Sequence, residues 1–345
     1  MGVTEQGPEP FGPFLLLETL GSGGMGSVYL ARHLDRPGFL VVKRLHASLL
    51  TDGTIFKRFV HEAEVASHVL HDNVACLVAM GRVDNEPFLA MEHVYGVPLS
   101  LIIHRVQTSQ SDAIQLPIAL HMSIELASAI EAIHEARHRE TGAPLGLLHR
   151  DVGARNVLVG FDGQVKLIDL GLGKSILSDW QTNFEVIAGS PDYMAPEQAM
   201  GGEVDARADV YAAAVTIWEL IAGRKRIQED TVAARIQAAV AAQPEELLIY
   251  RKEASPRLEA ILKNAMAYDP DQRTASARTL RLTLQEEFDE LNTKVSHDEV
   301  KAWLDGSCAT LIAKERRRLE AAREHVVEGE RSSEAEVTQL YVGTI

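Results

Sequence analysis

The stretch Leu147-Leu148-His149-Arg150-Asp151-Val152-Gly153-Ala154-Arg155-Asn156-Val157-Leu158 constrains this chain more than any other. Two apolar residues lead into a charged and polar run, and an apolar run leads out. That pattern is a short buried segment feeding a loop that holds Asp151 and Asn156 in fixed positions. A second acidic mark follows in Val165-Lys166-Leu167-Ile168-Asp169-Leu170-Gly171, an apolar strand that ends at an aspartate. One carboxylate, one amide and a second carboxylate, each at the end of an apolar run, are the donor set of metal-assisted phosphoryl transfer. Asp151 can orient a hydroxyl and accept its proton, while Asn156 and Asp169 offer hard oxygen ligands suited to Mg²⁺.

Upstream, Phe14-Leu15-Leu16-Leu17 is strand-like and leads to Gly21-Ser22-Gly23-Gly24-Met25-Gly26-Ser27-Val28-Tyr29-Leu30. The Gly-x-Gly-x-x-Gly spacing is shared with dinucleotide-binding folds, which need a helix N-terminus directly after the glycines. Here a β-branched and aromatic strand follows instead, so the glycines turn a hairpin whose bare amides can cover phosphates. Next, Phe39-Leu40-Val41-Val42-Lys43-Arg44-Leu45 is an apolar strand carrying a lysine. Such a lysine is either an edge residue that snorkels to water or a phosphate ligand needing an anion to hold it. Apolar residues at 56, 59, 60, 63 and 66 then fall at helical spacing. Glu62 and Glu64 on that helix are two residues apart and cannot share a face.

The glycine hairpin, Lys43, Glu62, the His149-to-Asn156 loop, Asp169-Leu170-Gly171 and Ala195-Pro196-Glu197 occur in one order and with family-like spacing. Over residues 12 to 292 the chain resembles the protein kinases. The run Gly189-Ser190-Pro191-Asp192-Tyr193-Met194-Ala195-Pro196-Glu197-Gln198 is similar to the eukaryotic-like serine/threonine kinases of bacteria. The resemblance implies an α+β, two-lobed protein kinase fold. Its N-lobe (12–94) is a small antiparallel sheet with one key helix, and its C-lobe (97–292) is larger and helical. It also implies an enzyme that uses ATP and Mg²⁺ to phosphorylate Ser/Thr hydroxyls of proteins, itself included, in bacterial signalling.

The same resemblance implies roles residue by residue. Leu20, Gly21, Ser22, Gly23, Gly24, Met25, Gly26, Ser27 and Val28 cover the nucleotide, with Val41, Met91 and Leu158 around the base. The Glu92 carbonyl and Val94 amide bond the adenine, Lys43 reaches the α- and β-phosphates, and Glu62 rather than Glu64 pairs with Lys43. Asp151 is the catalytic base, and Asn156 and Asp169 hold the metal. Asp209, read as the N-cap of a buried helix, anchors the catalytic loop, and Arg273 pairs with Glu197. Thr182 is the expected phosphorylation site, whose phosphate would pair with Arg150.

Three positions depart from the family pattern. Gly153 stands where serine/threonine kinases place a lysine, and Arg155 stands where many tyrosine kinases place their equivalent cation. Val41 replaces a small alanine, and Leu170 replaces phenylalanine. Gly153 and Val41 are the best support for a rival reading, a pseudokinase scaffold that keeps the fold and signals by contact. A small-molecule phosphotransferase is a third, but it has no need of the Ala-Pro-Glu segment.

Beyond residue 292 the match ends. Val300, Trp303, Leu304, Cys308, Leu311 and Ile312 continue at helical intervals, as do Leu319, Ala322 and Val326. The tail 293–345 is expected to be helical and partly disordered, its last dozen residues included. Docking on the large lobe is its default; pairing with a second chain as a homodimer, or with a partner, is the alternative. Residues 1–11 are expected to fray. His134 and His138 have helical spacing but no evident third metal ligand, and are read as a solvated face. A net charge of −15 argues against nucleic acid as a partner. No unbroken apolar run reaches the ~20 residues of a membrane span, no signal peptide is evident, and the two cysteines sit in unlike contexts. A cytoplasmic protein is expected.

Overall fold

Large apolar residues set two apart along the early strands build the sheet that carries the glycine hairpin. The computed structural model describes residues 8–23, 26–46, 53–109, 113–170, 191–241, 246–324 and 337–342. The chain divides into two units, one of Met1–Leu70, Ala75–Val94 and Ala313–Ile345, the other of His71–Val74 and Tyr95–Ile312.

The first unit holds β1 (Glu9–Phe11), β2 (Phe14–Gly23), β3 (Gly26–His33), β4 (Phe39–Leu45), helix α1 (Gly53–Ala66), β5 (Leu77–Val83) and β6 (Glu86–Glu92). With β10 (Val337–Val342) these strands form an antiparallel sheet of order β1-β2-β3-β4-β6-β5-β10. Phe14, Leu16, Ala31, Val42 and Phe88 alternate onto one buried face. The Phe88 ring is met edge-on by Phe14 at 5.1 Å and by Phe11 at 5.9 Å. Burying each such ring stabilises the sheet by about 1.5–3 kcal/mol.

Both chain ends depart from expectation. Glu9–Phe11 is not frayed: it pairs with Phe14–Leu16, and Arg44 reaches Glu9 at 2.7 Å while lying over the Phe11 ring. Val337–Val342, inside the stretch read as disordered, pairs antiparallel with β5. The open edge of β5 offers unpaired amides and carbonyls, and Val-Thr-Gln-Leu-Tyr-Val is rich in β-formers that satisfy them.

The second unit is mostly helical. It contains β7 (Gly96–Pro98), α2 (Leu99–Thr108), α3 (Leu116–His134), β8 (Val157–Gly160), β9 (Val165–Leu167) and the short α4 (Pro196–Ala199). After these come α5 (Ala206–Ala222), α6 (Val232–Ala241), α7 (Leu247–Tyr250), α8 (Pro256–Ala265), α9 (Ala277–Asp289) and α10 (His297–Ser307). Strands β7, β8 and β9 form a small antiparallel sheet. Helix α5 is buried from Ala208 to Ile221. Helix α3 is long and apolar enough to cross a membrane, but 61% of that stretch is buried in the unit, which makes it a core helix.

The tail docks within its own chain. Helix α10 packs in the second unit, where the His297 carbonyl lies against Gly163. Helix α11 (Ala309–Glu324) ends in the first unit, with Arg318 3.1 Å from Glu18 and Arg323 over the Phe39 ring. Docking on the large unit therefore describes only the first part of the tail.

Candidate active site

In the second unit the catalytic loop is organised by one buried carboxylate. Asp209 accepts from the His149 amide at 2.7 Å, the Arg150 amide at 2.8 Å and His134 Nε2 at 2.9 Å. It is 2% exposed. Burial alone would raise its pKa, but the hydrogen bonds from His134 and from the loop amide of His149 outweigh that and hold it below the ordinary carboxylate range. The loop anchor is thus present, but Asp209 is not the helix cap. Asp205 is: its side chain accepts from the Arg207 amide, and Asp209 sits within the first turn. His134 likewise is not on a solvated face, because it donates into this buried carboxylate. His138 is spent locally, its Nδ1 accepting from the Glu140 and Thr141 amides at 3.3 Å.

His149 is fully buried, and burial lowers its pKa, so the ring is neutral. Its Nδ1 accepts from the Asp151 amide at 3.2 Å, which leaves Nε2 to donate to the Ile168 carbonyl at 3.2 Å. One ring therefore ties the backbone of Asp151 to the residue before Asp169. The Ile168 amide donates to the Asn156 carbonyl at 2.8 Å, closing a second tie. A third comes from Asn73, whose side chain donates to the Val165 carbonyl and whose own carbonyl accepts from the Leu167 amide.

Asp151 and Asn156 meet directly. Asn156 Nδ2 donates to both the carbonyl and the Oδ2 of Asp151, each at 2.8 Å. With its nitrogen occupied twice, the amide keeps Oδ1 as an acceptor. Asp151, Asn156 and Asp169 are all half-buried. Arg150 and Asp169 adopt left-handed backbone, with φ of 62° and 57°. Non-glycine residues rarely adopt that region, and when they do they cluster at functional sites.

The departure at Gly153 has a structural cause. A Cβ there would fall 2.8 Å from the Tyr193 ring, which lies against the loop where the family's lysine would leave. Tyr193 is fixed in turn, its hydroxyl donating to Glu219 Oε2 at 2.7 Å, while Glu219 Oε1 accepts from the Arg226 amide at 2.9 Å. Burial pushes the Glu219 carboxyl up to about 7. Arg155 is exposed and Arg150 half-buried. Arg273 forks onto Glu197 at 2.7 and 3.0 Å, as the resemblance implied.

The first unit holds most of the other predicted residues. Lys43 is buried on β4, in register with Val28 on β3 and Leu89 on β6, and Val41 faces Leu30 and Met91 in the same ladder. On α1, Glu62 is half-buried and Glu64 exposed, while Ala63 and Ala66 are buried. Glu92 closes β6, its amide donating to the Cys76 carbonyl at 3.0 Å, and Val94 is the last residue of the unit before Tyr95. Leu20 to Gly23 are exposed, and Ser22 and Ser27 hydroxyls meet at 3.1 Å. Gly26 lies so close to Arg44 that a Cβ would fall 1.9 Å from its carbonyl oxygen. By contrast, a Cβ at Gly21 or Gly23 would meet nothing within 4 Å. Leu158 belongs to the second unit, half-buried on β8 between Pro98 and Lys166. Gly24, Met25 and Thr182 lie outside the described residues.

Sequence reasoning missed His149, Asn73 and the Tyr193–Glu219 pair as organising residues. A buried polar group within an apolar stretch was the available signal for Glu219, embedded in Ala212 to Ile221. Asn73 carried none.

Residues 14–284 match the family described as protein kinase domain, and the chain belongs to that family. It is 32% identical over 293 residues to tyrosine-protein kinase MasK of Myxococcus xanthus, covering 82% of this chain and 45% of that one. It is 33% identical over 281 residues to serine/threonine-protein kinase Pkn1 of the same organism, covering 79% and 38%. Against serine/threonine-protein kinase PknB of Mycolicibacterium smegmatis the identity is 31% over 274 residues, covering 77% and 41%. The chain thus spans less than half the length of these relatives. The crystal structure of the Mycobacterium tuberculosis PknI kinase domain aligns with a TM-score of 0.60 and 26% identity, covering 83% of this chain and 100% of that one. The protein kinase fold implied by the sequence is the fold of this chain.

Proposed function

We propose that this chain is a bacterial protein serine/threonine kinase, transferring the γ-phosphoryl group of ATP to hydroxyls of a protein substrate and to itself. The observation that carries this reading is the Asp151–Asn156 contact, held on a loop fastened to Asp209 and to the strand before Asp169. Asp151 aligns the acceptor hydroxyl and takes its proton as that oxygen bonds to phosphorus and the bond to the bridging oxygen of ADP breaks. The Asn156 amide oxygen and the Asp169 carboxylate fit Mg²⁺, because both are hard oxygen donors and the Asn156 nitrogen is already turned to Asp151. Magnesium there supplies charge neutralisation at the phosphates. Gly21 and Gly23, which the fold does not require to be glycine, suit close approach of phosphate to backbone. Lys43 and Glu62 complete the phosphate-binding set, and the Glu92 and Val94 backbone bonds the adenine.

The names of Pkn1 and PknB support serine and threonine as acceptors. A tyrosine acceptor is favoured by Gly153, by Arg155 and by the name of MasK. Arg155, the exposed cation of the loop, takes the place of the lysine that Tyr193 excludes. Thr182 is the phosphorylation site, its phosphate pairing with Arg150. A cytoplasmic setting is consistent with Cys76 and Cys308, neither of which is in a disulfide. The test is incubation with γ-labelled ATP, Mg²⁺ and a generic protein substrate, followed by phosphoamino-acid analysis. Phosphoserine and phosphothreonine are expected; phosphotyrosine alone selects the second acceptor class. Nucleotide binding without any label overturns the kinase reading in favour of the scaffold.

A further inference from the structure

At the start of β9, the strand that leads to Asp169, two imidazoles and a carboxylate converge. His121 and Glu125 lie four residues apart on α3 and so share a face. His297 is the first residue of α10. One ligand atom from each of the three lies within 4.8 Å of the others. His297 Nε2 is 2.6 Å from Glu125 Oε1, and the His121 and His297 rings meet edge to face at 5.6 Å.

Each of the three is held by a neighbour. Glu125 Oε2 accepts from the Val165 amide at 2.9 Å, which turns the other oxygen toward His297. His297 is set by a capping box in which Ser296 and Glu299 satisfy each other's backbone. Its carbonyl lies so close to Gly163, at φ 93°, that a Cβ there would fall 1.9 Å away. His121 packs against Phe288, and its Nε2 is buried with no hydrogen-bond partner. A buried polar atom left unpaired costs about 1–3 kcal/mol, a cost that a metal ion bound at this nitrogen would remove.

We propose that His121, Glu125 and His297 bind Zn²⁺, with water in the fourth position. Two imidazoles and one carboxylate are a zinc donor set, whereas Mg²⁺ and Ca²⁺ take oxygen ligands. Zinc bonds of about 2.0–2.1 Å put tetrahedral ligand atoms roughly 3.3 Å apart, so small side-chain rotations close the triangle. The Val165 amide is then the outer-shell group that orients the carboxylate. The ion fastens α10 of the tail to α3 and, through Glu125, to the strand that leads to Asp169. Nothing in this site depends on phosphoryl transfer.

The test uses the full chain, stripped with chelator and titrated with Co²⁺ in the absence of nucleotide. One equivalent is expected to give the visible absorption of a four- or five-coordinate His/carboxylate site, displaced by Zn²⁺. His297→Gln and His121→Ala should each abolish the band and weaken Zn²⁺ binding by at least about 100-fold. Asp169→Asn should leave it intact. His297 is half-exposed at 45%, so His297→Gln carries the test if His121→Ala does not fold. Absence of the band overturns the proposal and leaves only a His297–Glu125 hydrogen bond. So does a band that survives His297→Gln, or a near-ultraviolet thiolate band from Cys76 or Cys308.

Discussion

The loop around Asp151 and the glycine hairpin are built by opposite means. The loop is fixed by buried polar groups: Asp209 takes two of its amides, His149 ties it to Ile168, and Asn156 holds Asp151 at 2.8 Å. The hairpin is exposed from Leu20 to Gly23, and among its described glycines only Gly26 is demanded by the protein's own packing. A group that must hold a proton at a defined point needs neighbours that cannot relax. A cover for phosphates needs bare backbone and no neighbours at all. Substitutions of the groups that fasten the loop should therefore act through stability, and substitutions in the hairpin through nucleotide affinity.

The largest effect is expected at Asp209. Asp209→Asn sets an amide nitrogen against a donor and leaves His134 without its anion. It should cost about 3–5 kcal/mol in denaturant unfolding and abolish turnover. A variant of wild-type stability would show that the loop is held by something else.

Glu219 comes next. Its folded carboxyl titrates at about 7 against an ordinary 4.5, so the folded state binds the extra proton between those values. Stability from this group is complete below the lower value and falls as pH rises toward 7. Glu219→Gln, which cannot titrate, should remove that slope, on the order of 3 kcal/mol from acid to pH 8 in the parent. Parallel stability–pH curves for variant and parent would contradict this.

Gly153→Ala sharpens the comparison from the crowded side. Its Cβ meets the Tyr193 ring at 2.8 Å, and such overpacking costs about 1–3 kcal/mol. Gly21→Ala is the matching test on the open side. Stability should change by less than about 1 kcal/mol while the KM for ATP rises several-fold. An unchanged KM would remove Gly21 from the nucleotide site.

Much of this division was legible in the sequence. Asp151, Asn156 and Asp169 stand at the ends of apolar runs, where polar side chains in this order are the donor set of phosphoryl transfer. The Arg273–Glu197 pair followed from the family pattern. Partners brought together from far along the chain were not legible. His134 reads as a surface residue until Asp209, seventy-five positions on, comes within 2.9 Å. The helix cap was misplaced because Ala206-Arg207-Ala208 breaks the apolar pattern while already forming the first turn. Strand β1 is too short to announce itself, and β10 exists only where the edge of β5 is offered. His121 and Glu125 were visible as a pair at helical spacing, but His297 has no local mark of a ligand.

The central claim is that Asp151 acts on the acceptor hydroxyl and not on the nucleotide. Its direct test is Asp151→Asn, measured for Mg·ATP binding by calorimetry and for transfer of labelled phosphate in the same preparation. Binding should stay within about threefold of wild type while transfer falls by about 10²–10⁴-fold, the range of a lost general base. Undiminished labelling, or loss of nucleotide binding in step with transfer, would contradict the account.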